Sequence, residues 1–331
     1  GEVMSPLRFI AWMNLLMVTI AKKKSLGYRC EGMVEGYPGQ AFCDDGCFVA
    51  HSRDELQEIC NIVSAFCELF QVKINADKSY YTVARGKIGN KMAAEAWGTE
   101  EGVEGSIELW DHTAWGGKGE WKEVGETRPD EAVRYLGVMI AANRDGTAQT
   151  EKVRRIVEGM LEKIRCCKCS GDMANYLLKA CVGGVLNYHA PFTTLTQTTV
   201  EGWDREIRKI LQDKSFVYGK TKLGLQYAVD GTGLGWFRAQ SVIMEATLTE
   251  GWIAATSDSI EGHMIRSQMA WRNKDLGTVY SPWRCPRREG SDKARWHSSV
   301  RMMGDALSML GWSMDTDVAG WGRQGQEPEG R

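Results

Sequence analysis

The chain has 331 residues, 43% of them apolar and 25% charged, a mixture that excludes wholesale disorder and leaves room for two or three domains with buried cores. With 41 Lys and Arg against 43 Asp and Glu, the formal charge is −2, which excludes a uniformly basic nucleic-acid coat but not local basic faces. The longest apolar run, residues 10–20, is interrupted by Asn14 and falls short of the roughly 20 residues a membrane-spanning helix needs.

Ser5-Pro6 opens a helix, with Ser as N-cap and Pro in the first turn, where its missing N–H costs nothing. The helix continues through Leu7, Ile10, Leu15 and Met17 towards Lys24, apolar on most sides, which predicts burial on more than one face. In residues 39–50, two short β-prone runs flank Asp45-Gly46, a hairpin signal. Ser52 and Glu55 form a capping box ahead of Leu56, Ile59, Cys60, Val63, Phe66, Cys67 and Phe70 at helical spacing. Residues 72–74 and 79–83 read as strands around an Asn75-Ala76-Asp77 turn. Residues 95–131 hold eleven acidic side chains, three basic ones and four Trp. They read as a surface excursion with some ordered β structure, in which residues 107–110 and 121–124 are hairpin arms.

Tyr135-Leu136-Gly137-Val138-Met139-Ile140 reads as a strand pair broken by Gly. The period then becomes helical. Val153, Ile156, Val157, Met160, Leu161 and Ile164 line one helix. Tyr176, Leu177, Ala180, Cys181 and Leu186 line a second, and Val200, Trp203, Ile207, Ile210 and Leu211 a third. A further helix is predicted over 237–255. Residues 264–301 carry nine basic and three acidic side chains with Trp271, Trp283 and Trp296 between them, a composition suited to phosphates and unpaired bases or to a solvated tail.

The feature that calls for explanation is Asp44-Asp45, expected at the hairpin tip. Alone, such a run is a polar turn. Between apolar arms it becomes a carboxylate pair on a rigid support, suited to Mg²⁺, which keeps water and substrate phosphate in its other positions. Two such ions can clamp the attacking and leaving oxygens of a phosphoryl transfer.

Four segments in order carry a resemblance: Gly1-Glu2-Val3-Met4-Ser5-Pro6-Leu7, Phe42-Cys43-Asp44-Asp45, Val72-Lys73-Ile74-Asn75-Ala76-Asp77-Lys78-Ser79 and Tyr135-Leu136-Gly137-Val138. The series resembles motifs B, C, D and E of the reverse transcriptases of non-LTR (LINE-type) retrotransposons. The resemblance implies an α+β fold. An incomplete polymerase palm, an antiparallel sheet with helices on one face, would span residues 1–144. An all-α thumb would follow over 145–215 and a basic, aromatic post-thumb region over 216–331. It implies two Mg²⁺ ions (or Mn²⁺) at Asp44 and Asp45, the latter less stringently required, with Phe42 packed under the tip. Ser5 and Pro6 would lie beside template and nucleotide, and Lys78 near the leaving pyrophosphate. Tyr135, Leu136 and Gly137 would grip the primer, and Lys152, Arg154, Arg155, Lys163 and Arg165 would track the template–primer duplex. The implied partners are an RNA template, a DNA primer and deoxynucleoside triphosphates, with no membrane. A nuclear or cytoplasmic site in a eukaryote is implied, not a secreted one.

Two departures qualify the likeness. Gln71 stands where the family commonly has Gly. The family's motif A, with its own metal-binding Asp, lies upstream of motif B, so the chain reads as part of something longer and is expected to be inactive alone. The alternative is a degenerate retroelement remnant that binds nucleic acid without catalysis; a partner protein that borrowed the fold is a third reading. The ten cysteines read as reduced thiols. Cys166 and Cys169 form a C-x-x-C without the second pair that zinc needs. Gly231-Thr232-Gly233-Leu234-Gly235 fits no phosphate-loop template.

Overall fold

The computed structural model describes residues 5–29, 36–83, 106–111, 119–142, 145–217, 222–228 and 233–257, with positions 259, 262 and 266. The fold is mixed α+β, and the chain divides into two units, Gly1–Asp145 and Gly146–Arg331.

The first unit contains α1 (Ser5–Ala21), the strands β1 (Gly39–Phe42) and β2 (Asp45–Phe48), α2 (Arg53–Leu69), a 3₁₀ turn (Ala76–Lys78) and β3 (Tyr80–Thr82). It continues with β4 (Ile107–Asp111), β5 (Glu120–Thr127), β6 (Val133–Tyr135) and β7 (Val138–Ile140). Ser52 caps α2 by accepting from the Glu55 N–H at 3.2 Å. The Glu55 carboxylate accepts from the His51 N–H at 3.2 Å, so the capping box closes one residue earlier than its usual form. Leu16 and Ile20 of α1 meet Ile59, Phe66 and Cys67 of α2 in a core that also takes in Trp12. The Trp12 and Phe66 rings lie 4.8 Å apart. The opposite face of α1 departs from the expected burial: Leu7, Ile10, Leu15 and Val18 are exposed.

Instead of one antiparallel sheet, the described strands form three small sheets: β1–β2, β3–β5–β4 and β6–β7. The β3–β5 pairing is parallel. Residues 72–75 form no strand and lead into the 3₁₀ turn. The acidic segment also departs from expectation. Its hairpin forms in the predicted register, with Trp110 opposite Trp121 and their rings edge-on at 5.4 Å, but it is no surface excursion. Ile107, Leu109 and Val124 are buried with Leu56 and Cys60 of α2 packed against them. Gln57 of α2 exchanges two hydrogen bonds with the backbone of Glu108, at 2.8 and 3.0 Å. Ser64 accepts the Trp110 N–H at 3.1 Å. Side chains of α2 thus satisfy the open edge of β4, which would otherwise invite another strand. Glu108, Glu120, Glu123 and Glu126 are exposed while Ile107, Leu109 and Val124 face α2, and the one buried acid, Asp111, pairs with Lys122 at 2.6 Å, so net charge hid a core strand.

The second unit is helical: α3 (Thr147–Cys166), α4 (Gly171–Leu177), a π segment (Leu178–Gly183), α5 (Gly184–His189), a 3₁₀ turn (Ala190–Phe192), α6 (Gln197–Ser215), α7 (Leu223–Tyr227) and α8 (Ala239–Thr256). The α3 and α6 stripes are buried as predicted through Val153, Val157, Leu161, Ile164, Trp203, Ile207, Ile210 and Leu211. The middle helix uses another face. Ala174, Leu178, Val182 and Leu186 are buried, whereas Tyr176, Ala180 and Cys181 are exposed. A strict four-residue spacing overshoots an α-turn by about 40° per step, and the wider π turns absorb the excess. Trp236, Phe237 and Ala239, from the segment expected to follow this helical unit, share its core.

Candidate functional site

In the β1–β2 hairpin Phe42 pairs with Asp45, so the two turn residues are Cys43 and Asp44, not Asp45-Gly46. Cys43 takes the positive φ of the turn, 52°, a left-handed conformation that costs a non-glycine residue energy. Gly46 serves a different purpose: a Cβ there would stand 3.0 Å from the Phe48 ring. Gly39 closes the hairpin at φ 134°, where a Cβ would meet the Cys47 carbonyl oxygen at 2.1 Å. Cys43, Asp44 and Asp45 are exposed, and Phe42 is 62% exposed rather than packed beneath the tip. With four-residue arms and little buried surface of its own, the hairpin offers Phe42 no apolar layer to enter.

The β6–β7 hairpin turns on Leu136 and Gly137, at φ 45° and 81°. Positive φ at both central positions is the mirror-image turn that suits two-residue hairpins, and Asn or Gly normally fills it. Leu136 at that angle stores strain. The structure brings this hairpin near the first. Burial raises the Tyr135 phenol above its ordinary pKa, and the Cys47 thiol and Asp45 carboxylate raise it further, while Gln40 opposes them. Tyr80 is raised by burial and by the same Cys47 and Asp45, and its hydroxyl donates to the Arg134 carbonyl at 3.3 Å. Tyr80, Gln40 and Cys47 had no signal in the sequence beyond strand propensity, because their role arises only when β1–β2, β3 and β6 meet.

Lys78 is exposed at the end of its 3₁₀ turn, and among the described residues no ion pair joins it to Asp44 or Asp45. Ser5 and Pro6 stand in the first turn of α1; their side chains, like residues 1–4, lie outside the described residues. Gln71 adopts φ 55°. Its N–H donates to the Glu68 carbonyl at 3.1 Å and that of Val72 to Cys67 at 2.8 Å. This is the paired-bond helix ending whose left-handed residue is usually Gly, so the turn keeps its geometry without its usual residue.

Comparison with protein-family models and with curated proteins returns no match.

Two exposed carboxylates fit Mg²⁺, which is held by one or two carboxylates with water and phosphate completing its shell. Among the described residues no three His, Cys, Asp or Glu side chains gather into a ligand set.

The five basic residues of α3 divide. Arg154 pairs with Glu158 at 2.8 Å, and Arg165 pairs with Glu162 and approaches Glu206 at 3.8 Å. These pairs lie along a groove of about 500 Å³ between α3 and α6, lined by Glu158, Glu162, Trp203 and Glu206. Its carboxylates make it a poor seat for phosphate. Arg155 and Lys163 are exposed and make no ion pair among the described residues. Lys152 is half-buried, close enough to His189 to lower its pKa.

Gly235, the last glycine of the 231–235 run, has a structural role. Asn175 of α4 donates to the Gly235 carbonyl at 3.2 Å and accepts the Phe237 N–H at 2.8 Å, stapling residues 235–237 to the helical core. Of the basic, Trp-rich stretch 264–301 only Arg266 is described, and it donates to the Ser257 carbonyl at 2.6 Å; the rest lies outside the described residues. Among those residues, no helix is long and apolar enough to cross a membrane.

Proposed function

We propose that the chain is part of an RNA-directed DNA polymerase of the non-LTR retrotransposon type, the whole protein extending a DNA primer on an RNA template. In this reading the first unit contributes palm residues and the helices of the second unit contribute a thumb. The observation that carries it is the exposed carboxylate pair of the β1–β2 hairpin, Asp44 in its two-residue turn and Asp45 at the first position of β2, together with the Tyr135-Leu136-Gly137 hairpin, whose Arg134 carbonyl accepts from the Tyr80 hydroxyl two residues after Lys78. Mg²⁺ bound there would supply charge neutralisation for phosphoryl oxygens. Asp44 in the turn and Asp45 beside it in β2 would hold that ion. The Leu136-Gly137 backbone, free of a Cβ at Gly137, allows a primer strand to approach closely. Lys78 supplies a cation for charge developing on a leaving pyrophosphate.

Primer extension on an RNA template, by the longest reading-frame product that contains this chain, tests the reading. Asp44→Asn is expected to slow extension by about a hundredfold or more while template–primer binding persists; unchanged extension overturns the proposal. The degenerate-remnant reading makes a different prediction. Its signature is salt-dependent nucleic-acid binding with no extension by any such product.

A further inference from the structure

One cysteine group is explained neither by core packing nor by the polymerase reading: Cys166-Cys167-Lys168-Cys169. Spacing alone pairs Cys166 with Cys169. The structure groups the thiols differently. Cys166 ends α3, and its thiol turns back one helical turn to donate to Glu162 Oε1 at 3.3 Å. Cys167 is the C-cap, and the Cys169 N–H donates to its carbonyl oxygen at 3.1 Å. This tight three-residue reversal sets Cys167 and Cys169 at its two ends, while the Cys166 thiol is turned away towards Glu162. Lys214, in the last turn of α6, donates to the same Cys167 carbonyl and holds the reversal in place. Cys167 is exposed, whereas Cys169 is half-buried against the helical core.

We propose that Cys167 and Cys169 form a thiol–disulfide couple that a low-molecular-weight disulfide such as glutathione disulfide oxidises. The Cys167 thiolate attacks one sulfur of glutathione disulfide, forming a mixed disulfide and expelling one glutathione thiolate. The Cys169 thiolate then attacks the Cys167 sulfur and the second glutathione thiolate leaves. The protein loses two electrons and two protons, and the reagent takes them up as two glutathione thiols. Access sets the roles, because an incoming disulfide reaches the exposed sulfur first. A ring closed through a single intervening residue is tight, which makes the couple readily reduced and hence reversible. Burial and the neighbouring Cys167 thiol raise the Cys169 pKa, with Lys214 opposing them, so ring closure speeds up as pH rises.

The test uses the full 331-residue chain in glutathione redox buffers, with acid quenching, differential alkylation and peptide mass mapping. Cys167 and Cys169 should lose alkylation together and be joined by one internal disulfide, with Cys166 still alkylatable. Cys169→Ser should trap glutathione on Cys167, with roughly tenfold more adduct than the unsubstituted chain. Cys167→Ser, at an exposed position that does not burden folding, should leave Cys169 unmodified. Cys166→Ser should leave the couple intact. A Cys166–Cys169 bond, an interchain disulfide, a lasting glutathione adduct on Cys167 of the unsubstituted chain, or thiols that all stay reduced would each overturn the proposal.

Discussion

Gln71 shows how a single residue can meet a backbone demand that its side chain resists. The helix end it closes needs a left-handed residue, and Gln71 supplies φ 55° at a cost that Gly avoids. Gln71→Gly should therefore stabilise the chain by about 0.5–1 kcal/mol, seen as a higher urea midpoint with an unchanged slope. His189 offers a pH-dependent counterpart. It is buried, its Nδ1 lies 3.0 Å from Gln149 Nε2, and the Tyr188 ring stands edge-on to it at 4.9 Å. Burial, and then the Lys152 charge, lower its pKa from the ordinary 6.5. Below pH 6.5 the unfolded chain binds a proton that the folded chain refuses, so stability contributed by neutral His189 is lost as pH falls from there towards the lowered value. His189→Gln should flatten the slope of stability against pH over that range, measured by urea denaturation. The core thiols behave oppositely to catalytic ones: burial pushes half-buried Cys60 and buried Cys67 up to about 11, which keeps them protonated and inert.

At the scale of elements, the decisive contacts join segments far apart in sequence. Asp204 of α6 accepts the Ala239 N–H at 2.7 Å and lies 3.5 Å from Arg238. It caps the N-terminus of α8, whose own N-cap residue, Arg238, makes no side-chain capping bond. Asp204→Ala should cost about 2–3 kcal/mol, because a buried N–H loses its acceptor. Asp204→Asn keeps an acceptor and should cost less; urea melts followed by circular dichroism distinguish the two. The β4–β5 hairpin is equally committed to its unit. Ile107 is 1% exposed, so Ile107→Ala should cost about 2–4 kcal/mol, whereas a free surface loop would tolerate the change within about 0.5 kcal/mol.

For the whole molecule, the near-neutral charge means that the nucleic-acid binding proposed above would have to come from local faces. The ion pairs of α3 then rank its basic residues. If the helical unit tracks a duplex as proposed, Arg155→Ala and Lys163→Ala should each weaken template–primer binding and lower its salt slope by about one. Arg154→Ala and Arg165→Ala should do less, since their cations already face glutamates. Equal effects at all four positions would argue against that face as the contact surface.

Periodicity and turn chemistry were legible without coordinates. The α3 and α6 stripes, the Ser52 cap and the Trp110–Trp121 hairpin register all follow from side chains a few residues apart, which local propensity and spacing can report. The middle helix was misread because π turns shift its buried face to positions that a constant 3.6-residue period does not select. The acidic β4–β5 hairpin was misread because the partner that buries it, α2, is distant in sequence. The tip of the first hairpin lies at Cys43-Asp44, although Asp45-Gly46 has the stronger local turn propensity, because strand register, Gly39 and the Phe48 ring outweigh it. The carboxylate pair itself is written in the sequence. That the Tyr80 hydroxyl reaches the Arg134 carbonyl, and that a chain reversal links Cys167 to Cys169 while Cys166 turns to Glu162, only the tertiary structure decides, because side-chain contacts depend on distances in space, not on spacing along the chain.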